Sequence, residues 1–196
     1  MKRLPYFLLG LVMVACHTES LEITEPNSSD GDFEVTETVL SQEESSNPIN
    51  ESSDGYCLTT KLIAGQHHEA GTITVSVTED HIIITYTTNE DWTINATHLS
   101  IGGCEDGDIP TNGSGNPQIG HFEYHSEHSD GINQVVYTIS LDDIPDLYCF
   151  AAHAEVYGPT GEETAWAEGE EFSGNSWAMY VEALLSECND VGDDDE

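Results

Sequence analysis

Basic residues are almost missing from this chain. It holds 3 Lys and Arg against 38 Asp and Glu, a net charge of −35 over 196 residues. A surface this acidic repels phosphate backbones and anionic headgroups, which excludes nucleic acid as a partner. Long apolar runs are missing too. The longest, Leu4 to Val14, falls short of the roughly 20 residues that a membrane-crossing helix needs. No GxSxG, HExxH or phosphate-loop pattern occurs, so the commonest hydrolase and nucleotide sites are not announced. No CxxC pair occurs, which argues against a thiolate zinc centre. Between Cys57 and Cys188 stand 22 acids, so carboxylate pairs arise by chance and say nothing of catalysis. The expectation is a protein that is not an enzyme.

What is present begins with a leader. Met1-Lys2-Arg3 precedes the apolar run, which ends in Met13-Val14-Ala15-Cys16. This resembles the bacterial lipoprotein signal, in which the cysteine is acylated, palmitate included, and becomes the new N-terminus. Met13 stands where that pattern prefers Leu. The resemblance implies removal of residues 1–15, a lipid on Cys16 and a membrane held through that lipid. His17 replaces the Asp that retains some lipoproteins at the inner membrane, which points to the outer membrane. Without Lys2 and Arg3, Lys61 alone faces 38 acids, a net charge of −37. Such charge reads first as solubility in salty surroundings. The alternative is cation binding, with Ca²⁺ foremost; no other cofactor is implied.

Residues 16–56 read as an acidic, disordered tether. Eleven acids lie between Glu19 and Asp54, and apolar residues are too few to offset the entropy of folding. Phe33, Val35, Val39 and Leu40 are the exceptions and are not expected to dock. The domain proper spans residues 57–188, and 189–196 is an acidic tail. In the domain, apolar residues alternate with polar ones. Ile73, Val75 and Val77 share a face, as do Ile82, Ile84 and Tyr86 beyond a turn at Glu79-Asp80. Val135, Tyr137, Ile139 and Leu141 repeat the pattern, and residues 148–157 form a small, apolar run. The fold class is all-β, an antiparallel β-sandwich stapled by disulfides. Residues 176–188 fit a C-terminal helix or a last strand, with composition favouring the helix.

With Cys16 committed to lipid, Cys57, Cys104, Cys149 and Cys188 remain, an even number in an exported chain. Three pairings exist. Cys57–Cys188, clamping the domain ends, and Cys104–Cys149, tying a loop to a central strand, are the preferred set.

Several stretches carry donor atoms. HFEYHSEHSDG places His121, His125 and His128 among acids. On a strand, His121 and His125 lie roughly 13 Å apart, too far for one ion. His128, beyond them at the turn, would have to fold back. CEDGD supplies Glu105, Asp106 and Asp108 as hard oxygen ligands for Ca²⁺, on a loop too short for an EF-hand. His67 and His68 read as turn residues, and His153 as a hydrogen-bonded core residue. Trp92, Trp166 and Trp177 are candidates for a sugar platform or for packing.

The order AGQHHEAGTITV, THLSIGGC, IPTNGSGNPQIGHFEY, CFAAHAEVY and ETAWAEGEEFSGNSWAMY resembles a family of secreted and surface-anchored bacterial β-sandwich domains with no assigned activity. The resemblance covers roughly residues 57–188 and is most specific at Thr164–Gly169, with Trp177 and Tyr180 downstream. It implies a β-domain, no catalytic residues, and a strand in place of the C-terminal helix. The expected function is a lipid-anchored envelope protein whose domain binds a glycan or protein ligand, or serves a surface-structural role. The alternatives are a divalent-cation module (Ca or Zn) and a hydrolase with an unrecognised site.

Overall fold

The computed structural model describes residues 33–39, 56–105, 107–142 and 144–189. Cys16, Asp106 and the tail from residue 190 lie outside the described residues. Eleven antiparallel strands are present among the described residues: β1 (Phe33–Thr38), β2 (Leu58–Ala64), β3 (His68–Val77), β4 (His81–Thr88), β5 (Thr93–Gly102), β6 (Tyr124–Glu127), β7 (Gln134–Ser140), β8 (Leu147–Gly158), β9 (Gly161–Ala167), β10 (Glu170–Glu171) and β11 (Met179–Leu184). A 3-10 turn covers Ile119–His121, and a short helix, α1 (Leu185–Asn189), ends the described chain.

The period-2 patterns form as the alternation dictates. Ile73, Val75, Ile82, Ile84, Tyr86, Val135 and Tyr137 are fully buried and Ile139 nearly so. Each such side chain contributes about 1.5–3 kcal/mol by leaving water. The strands run in the order β1-β7-β4-β3-β2-β9-β8-β11-β10, with β5 on β8 and β6 on β5. The layers meet face to face through one apolar core. Tyr86 OH of β4 donates to the His98 carbonyl of β5 (3.2 Å), and Phe33 of β1 packs edge-on against Tyr124 of β6 (4.8 Å).

Strand β8 organises the rest. One edge pairs with β5 along its length; the other pairs with β9 over residues 153–158 and with β11 over 147–150. Its even face, from Tyr148 through Phe150, Ala152 and Ala154 to Val156, enters the main core. Its odd face, Cys149 and Ala151, lies under a second, smaller core with Ile109, Phe122, Trp166, Phe172 and Ala178. That outer cover comes from two long connections, residues 103–123 and 168–178.

The cysteines pair as Cys57–Cys188 and Cys104–Cys149. Two expectations are corrected. Residues 33–38 of the presumed disordered tether form β1, in register with β7 from Phe33↔Ile139 to Thr38↔Gln134. Acid-rich composition hid an alternation: Phe33, Val35 and Glu37 face inward, while Glu34, Thr36 and Thr38 face solvent. Phe33 and Val35 therefore dock, against the reading above. The helix favoured for residues 176–188 gives way to β11 over Met179–Leu184, and helix is confined to α1 at Leu185–Asn189. Pairing of Val181 with Phe150 and burial of Val181 outweigh helix propensity here.

Candidate binding cleft and histidine row

Pairing sets His125, His98, His153 and Trp166 side by side on β6, β5, β8 and β9. Directly opposed residues share a sheet face. The rings follow: His125 stacks on His98 (centroids 6.2 Å), His98 meets His153 (5.4 Å), and His153 meets Trp166 (4.8 Å). This row crosses the outer face where its loop cover stops. His153 is 2% exposed.

His153 Nδ1 lies 3.4 Å from His98 Nδ1, while its Nε2 is buried and has no hydrogen-bond partner. Burial, reinforced by His98, pushes His153 down to about 3. Burial also lowers His98, with Glu155 acting against it and His125 and His128 adding to it. Both imidazoles are therefore neutral at pH 7. One shared proton serves the two Nδ1 atoms. If His98 donates it, Nε2 of His153 is an unpaired donor; if His153 donates it, Nε2 is an unpaired acceptor. Either way a buried polar atom goes unsatisfied, at a cost of about 1–3 kcal/mol. The reading of His153 as a hydrogen-bonded core residue thus holds for one nitrogen only.

His153 and Trp166 line a cavity of about 230 Å³, together with Asn116, Thr164, Ser176 and Trp177. No acid among the described residues lines it. Its rim is locked. Asn116 Oδ1 accepts the backbone N–H groups of Asn175 and Ser176, both at 2.9 Å, joining the two covering connections. Asn112 Oδ1 in turn accepts from the backbone of Ser114 (2.9 Å) and Asn116 (3.2 Å). Gly174 is required at this junction, because a Cβ there would strike the Asn116 side chain and backbone.

A second cavity, about 260 Å³, opens beside the Cys104–Cys149 disulfide and is lined by Glu105, Glu171, Phe172 and Tyr180. Of the calcium candidates, Glu105 lines it, Asp108 does not, and Asp106 lies outside the described residues. Asp108 folds back, its Oδ2 accepting the Glu105 N–H (3.2 Å) while its own N–H donates to the Glu105 carbonyl (3.2 Å). The pair closes a turn. Among the described residues, the one group of three donor atoms lying within 4.8 Å of one another is Cys104, Cys149 and Glu182, and its two sulfurs are spent in the disulfide.

The three histidines of the 121–131 stretch are not brought together. His121 is exposed in the 3-10 turn, and His125 joins the row. His128 turns inward, its side chain fully buried. Its Nδ1–H donates to Glu37 Oε1 (2.7 Å), and its Nε2 lies 2.7 Å from Thr97 Oγ1, which lies 2.7 Å from Tyr137 OH. Hydroxyl, imidazole and carboxylate form a chain with the outline of a hydrolase relay. Thr97 is fully buried, however, and the chain links β5, β7 and β1 across the sandwich. It fastens strands. His67 and His68 are exposed at the β2–β3 turn, His68 resting near Trp92 (6.2 Å). Trp92 is buried apart, pressed on Gly158. Of the three tryptophans only Trp166 and Trp177 converge.

The sequence reading missed His98, Thr97 and Asn116. His98 was findable: THLSIG alternates, and His98 falls on the face opposite Leu99 and Ile101. No family model matches the chain, and neither the curated proteins nor the solved structures include a significant match.

Proposed function

We infer that the protein is a lipid-anchored envelope component whose β-domain binds a small neutral polyol, a carbohydrate residue, in the His153 cleft. One observation carries this: a cavity walled by Trp166 and Trp177, with no acid lining it among the described residues, is also lined by His153, whose Nε2 has no partner. A sugar fits that chemistry. Its C–H face packs on indole, and a hydroxyl both donates and accepts, so one that reached the buried Nε2 would satisfy it in either tautomer. The volume lies below the roughly 300–1,000 Å³ of drug-sized sites, which suits a single ring or a chain terminus. An anionic ligand is disfavoured by the field of a −35 chain.

The role is read as binding rather than catalysis: Thr164 and Ser176 share the cleft with His153, but neither hydroxyl is hydrogen-bonded to its Nε2. Anchoring at Cys16 is supported by the basic start, the apolar run and Ala15-Cys16. Two experiments test the reading. Titration of the full chain with neutral mono- and oligosaccharides, followed by tryptophan fluorescence, should show saturable binding that Trp177→Ala abolishes; a panel-wide absence of binding would overturn the ligand class. Labelling of expressing cells with an acyl-chain probe should mark the wild type and leave Cys16→Ser unmarked; equal labelling would remove the anchor.

A further inference from the structure

We propose that His98 and His153, joined by His125, form a site for a borderline divalent transition metal of the zinc class. The proposal shares His153 with the carbohydrate reading but does not rest on it, because His98 and His125 do not line the cleft. Three neighbouring strands of one sheet face each contribute an imidazole at the same level. The two Nδ1 atoms of His98 and His153 are 3.4 Å apart. Two nitrogens bound at about 2.0–2.1 Å to a tetrahedral zinc stand about 3.4 Å from each other. The pair is therefore spaced as ligands of one ion, and 3.4 Å is long for a hydrogen bond. His125 is exposed and stacks on the His98 ring at an interplanar angle of 14°. As it stands no nitrogen of His125 lies within 4.8 Å of both others, so completing the site requires a change of its rotamer toward the open side of the pair. A fourth position is left to water. Imidazole donors select zinc, copper, nickel or cobalt over calcium and magnesium.

Metal on Nδ1 of His153 places its proton on Nε2 and makes that atom a fixed donor. The site so described differs from the calcium loop at Glu105 and Asp108 and from the 121–128 cluster, of which it uses only His125.

The test is titration of the full chain, disulfides intact, with Zn²⁺ in a large excess of Ca²⁺ and Mg²⁺, read by calorimetry. Co²⁺ is then added alone and read by visible absorption. Expected are one equivalent of zinc that calcium does not displace and the intense visible band of four-coordinate cobalt. Affinity should fall at least tenfold in His98→Ala and also in His125→Ala, an exposed position whose loss leaves the fold intact. His121→Ala, outside the row, should bind as wild type. Zinc binding that calcium competes away, or that survives both His98→Ala and His125→Ala unchanged, would overturn the site. Carbohydrate binding persisting in His98→Ala while zinc binding is lost would separate the two readings.

Discussion

His128 and His153 are both buried imidazoles in one sandwich, and they differ in a single respect. His128 has partners at both nitrogens, Glu37 and Thr97. His153 has one, and a long one. The first lies between strands and holds three of them in place. The second lies at the edge of a loop cover, beside a cavity. A protein interior that satisfies a histidine completely uses it as a fastener. One that leaves a nitrogen unpaired beside open volume carries an unsatisfied donor or acceptor there. The tyrosines repeat the contrast: Tyr137 OH bonds to Thr97, whereas Tyr148 OH is buried without a partner.

Removing the fastener should cost most. His128→Ala removes one partner each from Thr97 and Glu37 and opens a hole, for a loss of about 2–4 kcal/mol in urea unfolding. His153→Phe, which replaces an unsatisfied ring by an apolar one, should change stability by less than about 1 kcal/mol while abolishing binding at the cleft. Reversal of that order would end the distinction. Next in size is Phe33→Ala, expected to lose about 2 kcal/mol with its edge-on contact to Tyr124. Hydrogen exchange should then accelerate across residues 33–38 and stay slow at Ala151 and Ala152. Uniform acceleration would show that β1 is not a separable unit.

The tyrosine pair sharpens the comparison at high pH. Burial pushes both Tyr137 and Tyr148 up to about 12, against an ordinary value near 10. The folded state thus holds its protons where the unfolded chain releases them. Their contribution is complete below about pH 10 and is lost progressively as pH rises to about 12. Each Tyr→Phe variant should flatten that decline in a pH series of thermal melts; an unchanged slope in both would remove these groups as its source. At pH 7 the two variants should part. Tyr137→Phe gives up a hydrogen bond, about 1 kcal/mol. Tyr148→Phe should be the smallest effect of all, within about 0.5 kcal/mol or slightly stabilising.

The main core was legible because its cause is local. A hydrophobic period of two in residues 72–77, 82–88 and 135–141 needs no knowledge of the rest of the chain. Even parity and the position of the domain ends gave the disulfide pairing. Strand β1 was hidden because composition averages over a window, and three inward positions among acids vanish in that average. Its stability comes from β7, a hundred residues away. The cleft is non-local in the same sense: Asn116, His153, Trp166 and Trp177 lie on separate segments and meet only because β8 and β9 pair and two glycine-bearing loops interlock. His153 could be flagged from its place in a small-residue strand, but whether its second nitrogen finds a partner is a property of three-dimensional packing alone.

Docking of β1 also sets a length. On the proposed anchoring at Cys16, the leash from lipid to folded structure is residues 17–32 while β1 is seated, and residues 17–57 once it is released. At roughly 3.3–3.6 Å per extended residue, its greatest reach is about 55 Å in the first case and about 140 Å in the second. The six-residue strand β1, held by an aromatic edge contact and the bond from His128 to Glu37, therefore moves the point of attachment of the N-terminal segment from residue 57 to residue 33, and on that proposal it would set how far the cleft can stand from the anchor.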